Sequence, residues 1–259
     1  MLGAVAGDIV GSVYEFNPTK SLDFPLFTPG SCWTDDTVLT MAVAEAILTG
    51  RPYAETIRAF AREHPHAGYG GFFIQWYQSD NPAPYNSFGN GSAMRVSPVG
   101  WAFGTLEETL AEAKRSAEVT HNHPEGIKGA QSVAAAIFLA RTGTERDMVR
   151  AELEGRFGYN LHRPWEEVQR GYSFDETCQG SVPEALICAL TSVSFEDALR
   201  RAVALGGDAD TQAAIAGSVA EALYGGVPAA IATEARARLT PRFDSIVTTF
   251  QETFDLPWS

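Results

Sequence analysis

Residues 206–224 read GGDADTQAAIAGSVAEALY, and the helix they encode decides the class of the fold. After the acidic opening Asp208-Ala209-Asp210-Thr211, Glu221 is the only charge before Tyr224. Ile215, Val219, Ala222 and Leu223 recur at helical spacing, while Ala213, Ala216 and Ala220 keep the surface narrow. A helix apolar on most sides belongs in the middle of a protein, and Gly225-Gly226 closes this one. Residues 34–44, TDDTVLTMAVA, repeat the arrangement. There Leu39, Val43, Ala46 and Ile47 form one face, and Val38, Met41, Ala42 and Leu48 cover much of the other. The expected fold is therefore all-α: a compact, single-domain orthogonal helix bundle around two buried central helices.

The remaining helical patterns are amphipathic and peripheral. They cover residues 54–63, 106–118, 131–140, 147–153, 183–190, 195–205, 229–239 and 243–254. Thr105 reads as an N-cap, and Pro183 and Pro228 as residues of first helical turns. Residues 163–173 are ambiguous, and no convincing strand alternation, internal repeat or linker interrupts the chain, so residues 1–259 read as one domain. The long irregular stretch is 79–98, rich in Pro and Gly; such a loop within a compact domain is more often functional than idle.

Thirty-two acidic against nineteen basic residues leave a net charge of -13. A field of that sign repels phosphate backbones, so no nucleic-acid partner is expected. An anionic small ligand would need a local cation. Three cysteines are too few for a disulfide framework and fit a reducing compartment. Cys32 reads as a partly buried filler beside Trp33, since no basic group near it in sequence would favour a thiolate. The apolar start, residues 1–13, lacks a basic flank and is interrupted by Asp8. No run reaches the ~18 apolar residues of a membrane span. No membrane association and a cytoplasmic location are expected.

Thr34, Asp35 and Asp36, like Asp208, Asp210 and Thr211, suit two roles. They could cap helices, with acids favoured in the first turn. Yet paired carboxylates exceed what a cap needs, repel one another when buried, and recur at a second apolar helix. An all-oxygen donor set of this kind suits a hard divalent cation. Other acidic motifs fail. An EF-hand starting at Asp208 would need glycine where Ala213 stands and an acid where Val219 stands. A cyclase-type Asp-Asp-x-x-Asp would need an acid at Leu39. Glu15 follows a run in which Gly3, Gly7 and Gly11 recur every four residues, a spacing that permits close backbone approach. Read as the end of that helix, its carboxylate is unfavourable by ~0.3–1 kcal/mol. Ser87, Phe88, Gly89, Asn90, Gly91 and Ser92 form a small-residue loop whose amides could cradle an anion. His121 and His123, in Thr120-His121-Asn122-His123-Pro124, suit a polar loop as well as a ligand role.

Taken together, GAVAGDIVGSVYEF at 3–16, WTDDT at 33–37, GNGSAMR at 89–95, THNHPEG at 120–126 and ALRRAVALGGDADTQAAIAG at 198–217 resemble the ADP-ribosylglycohydrolase family. The resemblance implies a compact all-α domain with two divalent cations, Mg2+ or Mn2+. By that likeness Thr34, Asp35 and Asp36 supply one half of the metal site, and Asp208, Asp210 and Thr211 the other, with Asp210 as a bridge. Glu15, Asp35 and Asp210 would be the catalytic residues. Ser87, Phe88, Gly89, Asn90 and Gly91 would hold the diphosphate and adenosine side of ADP-ribose, and His121 the distal ribose. The implied partner is an ADP-ribosylated protein or a small-molecule ADP-ribose conjugate. The alternatives are hydrolysis of a free acylated ADP-ribose or nucleotide glycoside, and a non-catalytic ADP-ribose-binding module.

Overall fold

The computed structural model describes residues 1–256. They form α1 (Leu2–Gly11), α2 (Asp35–Thr49), α3 (Tyr53–Glu63), α4 (Gly71–Gln78), α5 (Gly91–Met94), α6 (Ser97–Ala102), α7 (Leu106–Ala117) and α8 (Pro124–Arg141). The second half contributes α9 (Arg146–Phe157), α10 (Trp165–Gly171), α11 (Cys178–Thr191), α12 (Phe195–Val203), α13 (Ala209–Leu223), α14 (Ala229–Arg236) and α15 (Pro241–Thr253). Among the described residues the only β pairing is an isolated bridge between Gly89 and Thr177, so the fold is all-α as expected.

The centre is a seam between α1 and α13. All ten residues of α1 are buried, as is every residue of α13 from Ala209 to Ala222. The glycines let the two backbones touch. A Cβ on Gly3 would lie 2.3 Å from the Gly217 carbonyl oxygen, one on Gly7 2.0 Å from that of Ala213, and one on Gly11 2.3 Å from that of Ala209. Glu221, the only charge of α13 beyond its first turn, is buried at the seam's end. It accepts a hydrogen bond of 2.8 Å from the Gly3 amide and pairs with the Met1 ammonium. An orphan amide in the first turn of α1 is thereby satisfied. Helices α8, α11 and α12 pack on α13, while α2 lies against α1, α3, α6 and α15. One contiguous apolar cluster joins all these elements.

Several helix limits differ from the sequence reading, each for a visible reason. Helix α8 starts at Pro124, not residue 131; His123 caps it by accepting from the Glu125 amide at 3.1 Å. Gly126 is no breaker there: a Cβ would lie 2.6 Å from the Ser87 carbonyl oxygen, so packing requires the glycine. Helix α11 starts at Cys178, capped by Thr177, which places Pro183 inside the helix instead of in its first turn. Residues 163–173 hold a helix, α10, and α9 runs on to Phe157 before Gly158 turns left-handed at φ 68°. Helix α4 has no counterpart in the sequence reading, and α5 and the first two residues of α6 occupy the end of the stretch read as loop. Helix α1 ends at Gly11, so Glu15 lies beyond it and the helix-end argument does not apply. Cys32 is exposed, not partly buried. No described helix is long and apolar enough to cross a membrane.

Candidate active site

The N-termini of α2 and α13 open into one pocket of about 390 Å³. Glu15, Thr34, Asp35, Asp36, Asp208, Asp210 and Thr211 line it, and so do Ser87, Gly89, Asn90, Gly91 and His121. Phe88 is the one expected site residue not in the lining; it is half-exposed, with its ring edge-on to His123 at 5.4 Å.

Asp8 organises the acidic wall, a role the sequence reading missed. From the middle of α1 its carboxylate accepts the Thr34 amide at 3.0 Å, the Thr34 hydroxyl at 2.8 Å and the Thr37 amide at 3.1 Å, as well as the Thr37 hydroxyl. Those bonds satisfy donors at the start of α2, and Thr34 itself accepts from the Asp36 amide. Capping of α2 thus rests on Asp8 and Thr34. At α13 the N-cap residue Asp208 makes no side-chain capping bond. Its Oδ2 instead accepts from Asn90 Nδ2 at 2.7 Å, tying the glycine loop to the acidic wall. The one signal for Asp8 was a single charge within an apolar helix, which has to find partners when buried.

The carboxylates converge. Asp8, Asp36 and Asp210 each place an oxygen within 4.8 Å of the others, and Glu15, Asp208 and Asp210 do the same. Asp210 belongs to both groups, while Asp35 lines the pocket but lies outside them. Thr211 donates to Asp36 Oδ2 at 3.2 Å, linking the two helix ends, and Asp36 Oδ1 is buried with no hydrogen-bond partner among the described residues. Burial first, and then repulsion from Asp210, favours the protonated form of Asp8, Glu15, Asp35, Asp36 and Asp208. Asp8 and Glu15 are each pushed up to about 7. Asp35, Asp36 and Asp208 are raised well above the usual carboxylate range. Crowded, desolvated oxygen donors with one orphaned atom fit a hard divalent cation, which would replace the protons and relieve the repulsion.

Ser87, Gly89, Asn90, Gly91, Arg95 and His121 supply a second set of lining residues, which carries no carboxylate of its own. Gly89 donates to Ser87 Oγ at 3.1 Å, and the Asn90 amide to the Glu176 carbonyl at 2.7 Å, which shapes the loop. Burial, then the nearby Arg95, keeps His121 well below its ordinary value, so it is neutral. Arg95 is fully buried in the pocket lining. Its Nη2 bonds the Ser116 carbonyl and the Thr120 hydroxyl, but Nε and Nη1 have no partner among the described residues. Arg95 closes the motif GNGSAMR, and nothing in the sequence marks it as buried.

A family model described as ADP-ribosylglycohydrolase matches residues 1–254. The mouse ADP-ribosylhydrolase ARH3 is 31% identical, over 87% of this chain and 82% of its own length. The ADP-ribosylarginine hydrolase Tri1 of Pseudomonas putida is 27% identical, over 87% of this chain and 69% of its own. Among solved structures, an ADP-ribosylglycohydrolase-related protein complex superposes with a TM-score of 0.75 at 26% identity, covering 97% of this chain and 95% of that one.

Proposed function

The chain belongs to the ADP-ribosylglycohydrolase family and is a glycohydrolase, and from that premise we propose that it cleaves the bond between C1 of the distal ribose of ADP-ribose and a modified acceptor, with two divalent cations, Mg2+ or Mn2+, in its pocket. The observation that carries the reading is Asp210, shared by two groups of carboxylates, Asp8 and Asp36 on one side and Glu15 and Asp208 on the other. Thr34, Asp35 and Asp36 would hold one cation, Asp208 and Thr211 the other, with Asp210 between them. When bound, such cations supply Lewis acidity and a hold on the vicinal ribose hydroxyls.

The chain's own residues do the rest. Ser87, Gly89, Asn90, Gly91 and His121 bind the diphosphate and ribose and orient the anomeric carbon, with Phe88 at the rim. Glu15, whose carboxyl is pushed up to about 7 before any cation is bound, can give a proton to the leaving acceptor and take one from water. The carboxylates beside the anomeric carbon stabilise the positive charge that develops there as the bond breaks. Asp8 touches no substrate in this scheme; it fixes the orientation of the α2 opening. One relative is named for an arginine-linked substrate, which supports a protein side chain as the acceptor, with a small-molecule conjugate as the alternative.

The test is a panel of arginine-, serine- and nucleobase-linked ADP-ribose plus acylated ADP-ribose, each with and without Mg2+ or Mn2+. Metal-dependent release from at least one conjugate is expected. Asp210→Asn should lose it while its circular dichroism is unchanged. An Asp210→Asn protein fully active in chelator would remove the metal role. Calorimetric binding of ADP-ribose with no release from any conjugate would mark a binding module instead.

A further inference from the structure

His121 has two ring nitrogens, and the structure treats them differently. Nδ1 lies 2.7 Å from the Thr120 hydroxyl. Nε2 faces the glycine loop: a Cβ placed on Gly91 would lie 3.2 Å from it, and one on Gly89 3.7 Å. Among the described residues no hydrogen bond engages Nε2.

The direction of the Thr120 bond follows from its other partner. Arg95 Nη2 lies 2.9 Å from the same hydroxyl oxygen, and a guanidinium only donates. One lone pair of Thr120 Oγ1 is therefore taken. The residue is wholly buried, so its own proton needs an acceptor, and Nδ1 is the one within reach. A proton on Nδ1 would instead point at a hydroxyl already receiving from a cation. We infer that Thr120, oriented by Arg95, is a positioning residue that locks His121 in the tautomer with its proton on Nε2. The imidazole then presents the pocket with a fixed donor, directed at the space beside Gly89 and Gly91, and no acceptor. Such a donor takes oxygens of an anionic ligand, such as phosphate or sugar oxygens, and rejects ligand N–H groups at the same place. The link from tautomer to ADP-ribose affinity rests on the function proposed above; the tautomer itself does not.

Nitrogen-edited NMR of the imidazole distinguishes the tautomers without ligand. Wild type should show His121 as a single species protonated at Nε2. Thr120→Val, close in shape but without the hydroxyl, should lose that uniformity and bind ADP-ribose roughly tenfold more weakly by calorimetry. Thr120→Ser, which restores the hydroxyl, should keep both. A wild-type ring protonated at Nδ1 would overturn the inference, as would a Thr120→Val ring locked at Nε2, or a Thr120→Ser protein as impaired as Thr120→Val. If the valine variant does not fold, the wild-type spectrum and the serine variant decide. A wild type with the expected tautomer but no ADP-ribose binding would count against the proposed substrate alone.

Discussion

Glu15 sits beside Asp210 in a setting that strips water from its carboxyl and surrounds it with like charge from Asp210, Glu176 and Asp8. A group poised at about 7 suits proton transfer in neutral solution. Glu15→Gln should lower kcat by roughly 10²–10⁴-fold, with KM little changed. A variant that keeps wild-type kcat at saturating Mn2+ would remove Glu15 from the chemistry. At this scale the sequence showed the acids of the pocket but not how they are grouped. Thr34, Asp35 and Asp36 announce themselves as neighbours, and Asp208 and Asp210 likewise. Asp8 does not, because its partners Thr34 and Thr37 lie 26 and 29 residues away. Arg95 is equally silent, because its meaning depends on the burial of Thr120 and His121.

Elements were legible where one helix face determines them. The spacing of Gly3, Gly7 and Gly11 signals close approach, and the structure places α13 against that stripe. Gly7→Ala would push a methyl to 2.0 Å from the Ala213 carbonyl. Overpacking of a tight core costs about 1–3 kcal/mol, occasionally more, so the urea midpoint should fall markedly. Gly155→Ala is the control: it lies in an exposed part of α9, with nothing within 4 Å of the added carbon. Its midpoint should hold or rise, by up to ~1 kcal/mol. Equal effects from the two substitutions would contradict the tight-seam account. Element boundaries were less legible wherever packing overrode local preference. Gly126 and Pro183 are helix breakers by composition, yet both lie within helices, one to make room for Ser87 and the other behind a Thr177 cap.

Across the whole molecule, net charge of -13 could be read from composition, but not its concentration in one pocket. That concentration sets how stability responds to pH. Asp8 and Glu15 titrate near 7 when folded, against reference values of 3.8 and 4.5. Between those limits the folded protein holds protons that the unfolded chain has released. Stability from these groups therefore falls as pH rises through the window and levels off above it. Metal-free protein should show a lower Tm at pH 8 than at pH 5, and Mn2+ should raise Tm more at pH 8. Asp210→Asn should flatten both trends, since it removes the shared source of repulsion. A chelated wild type with equal Tm at both values would contradict the protonated-site account. The seam between α1 and α13 carries a different consequence, for descent. With no clearance at Gly3, Gly7, Gly11 and Gly217, a lineage cannot add an atom on one side without losing room on the other. Change there proceeds by concerted exchange or stalls. Since Asp8 follows Gly7 directly and Asp210 follows Ala209, opposite Gly11, the packing of that stripe also fixes the spacing of the acids.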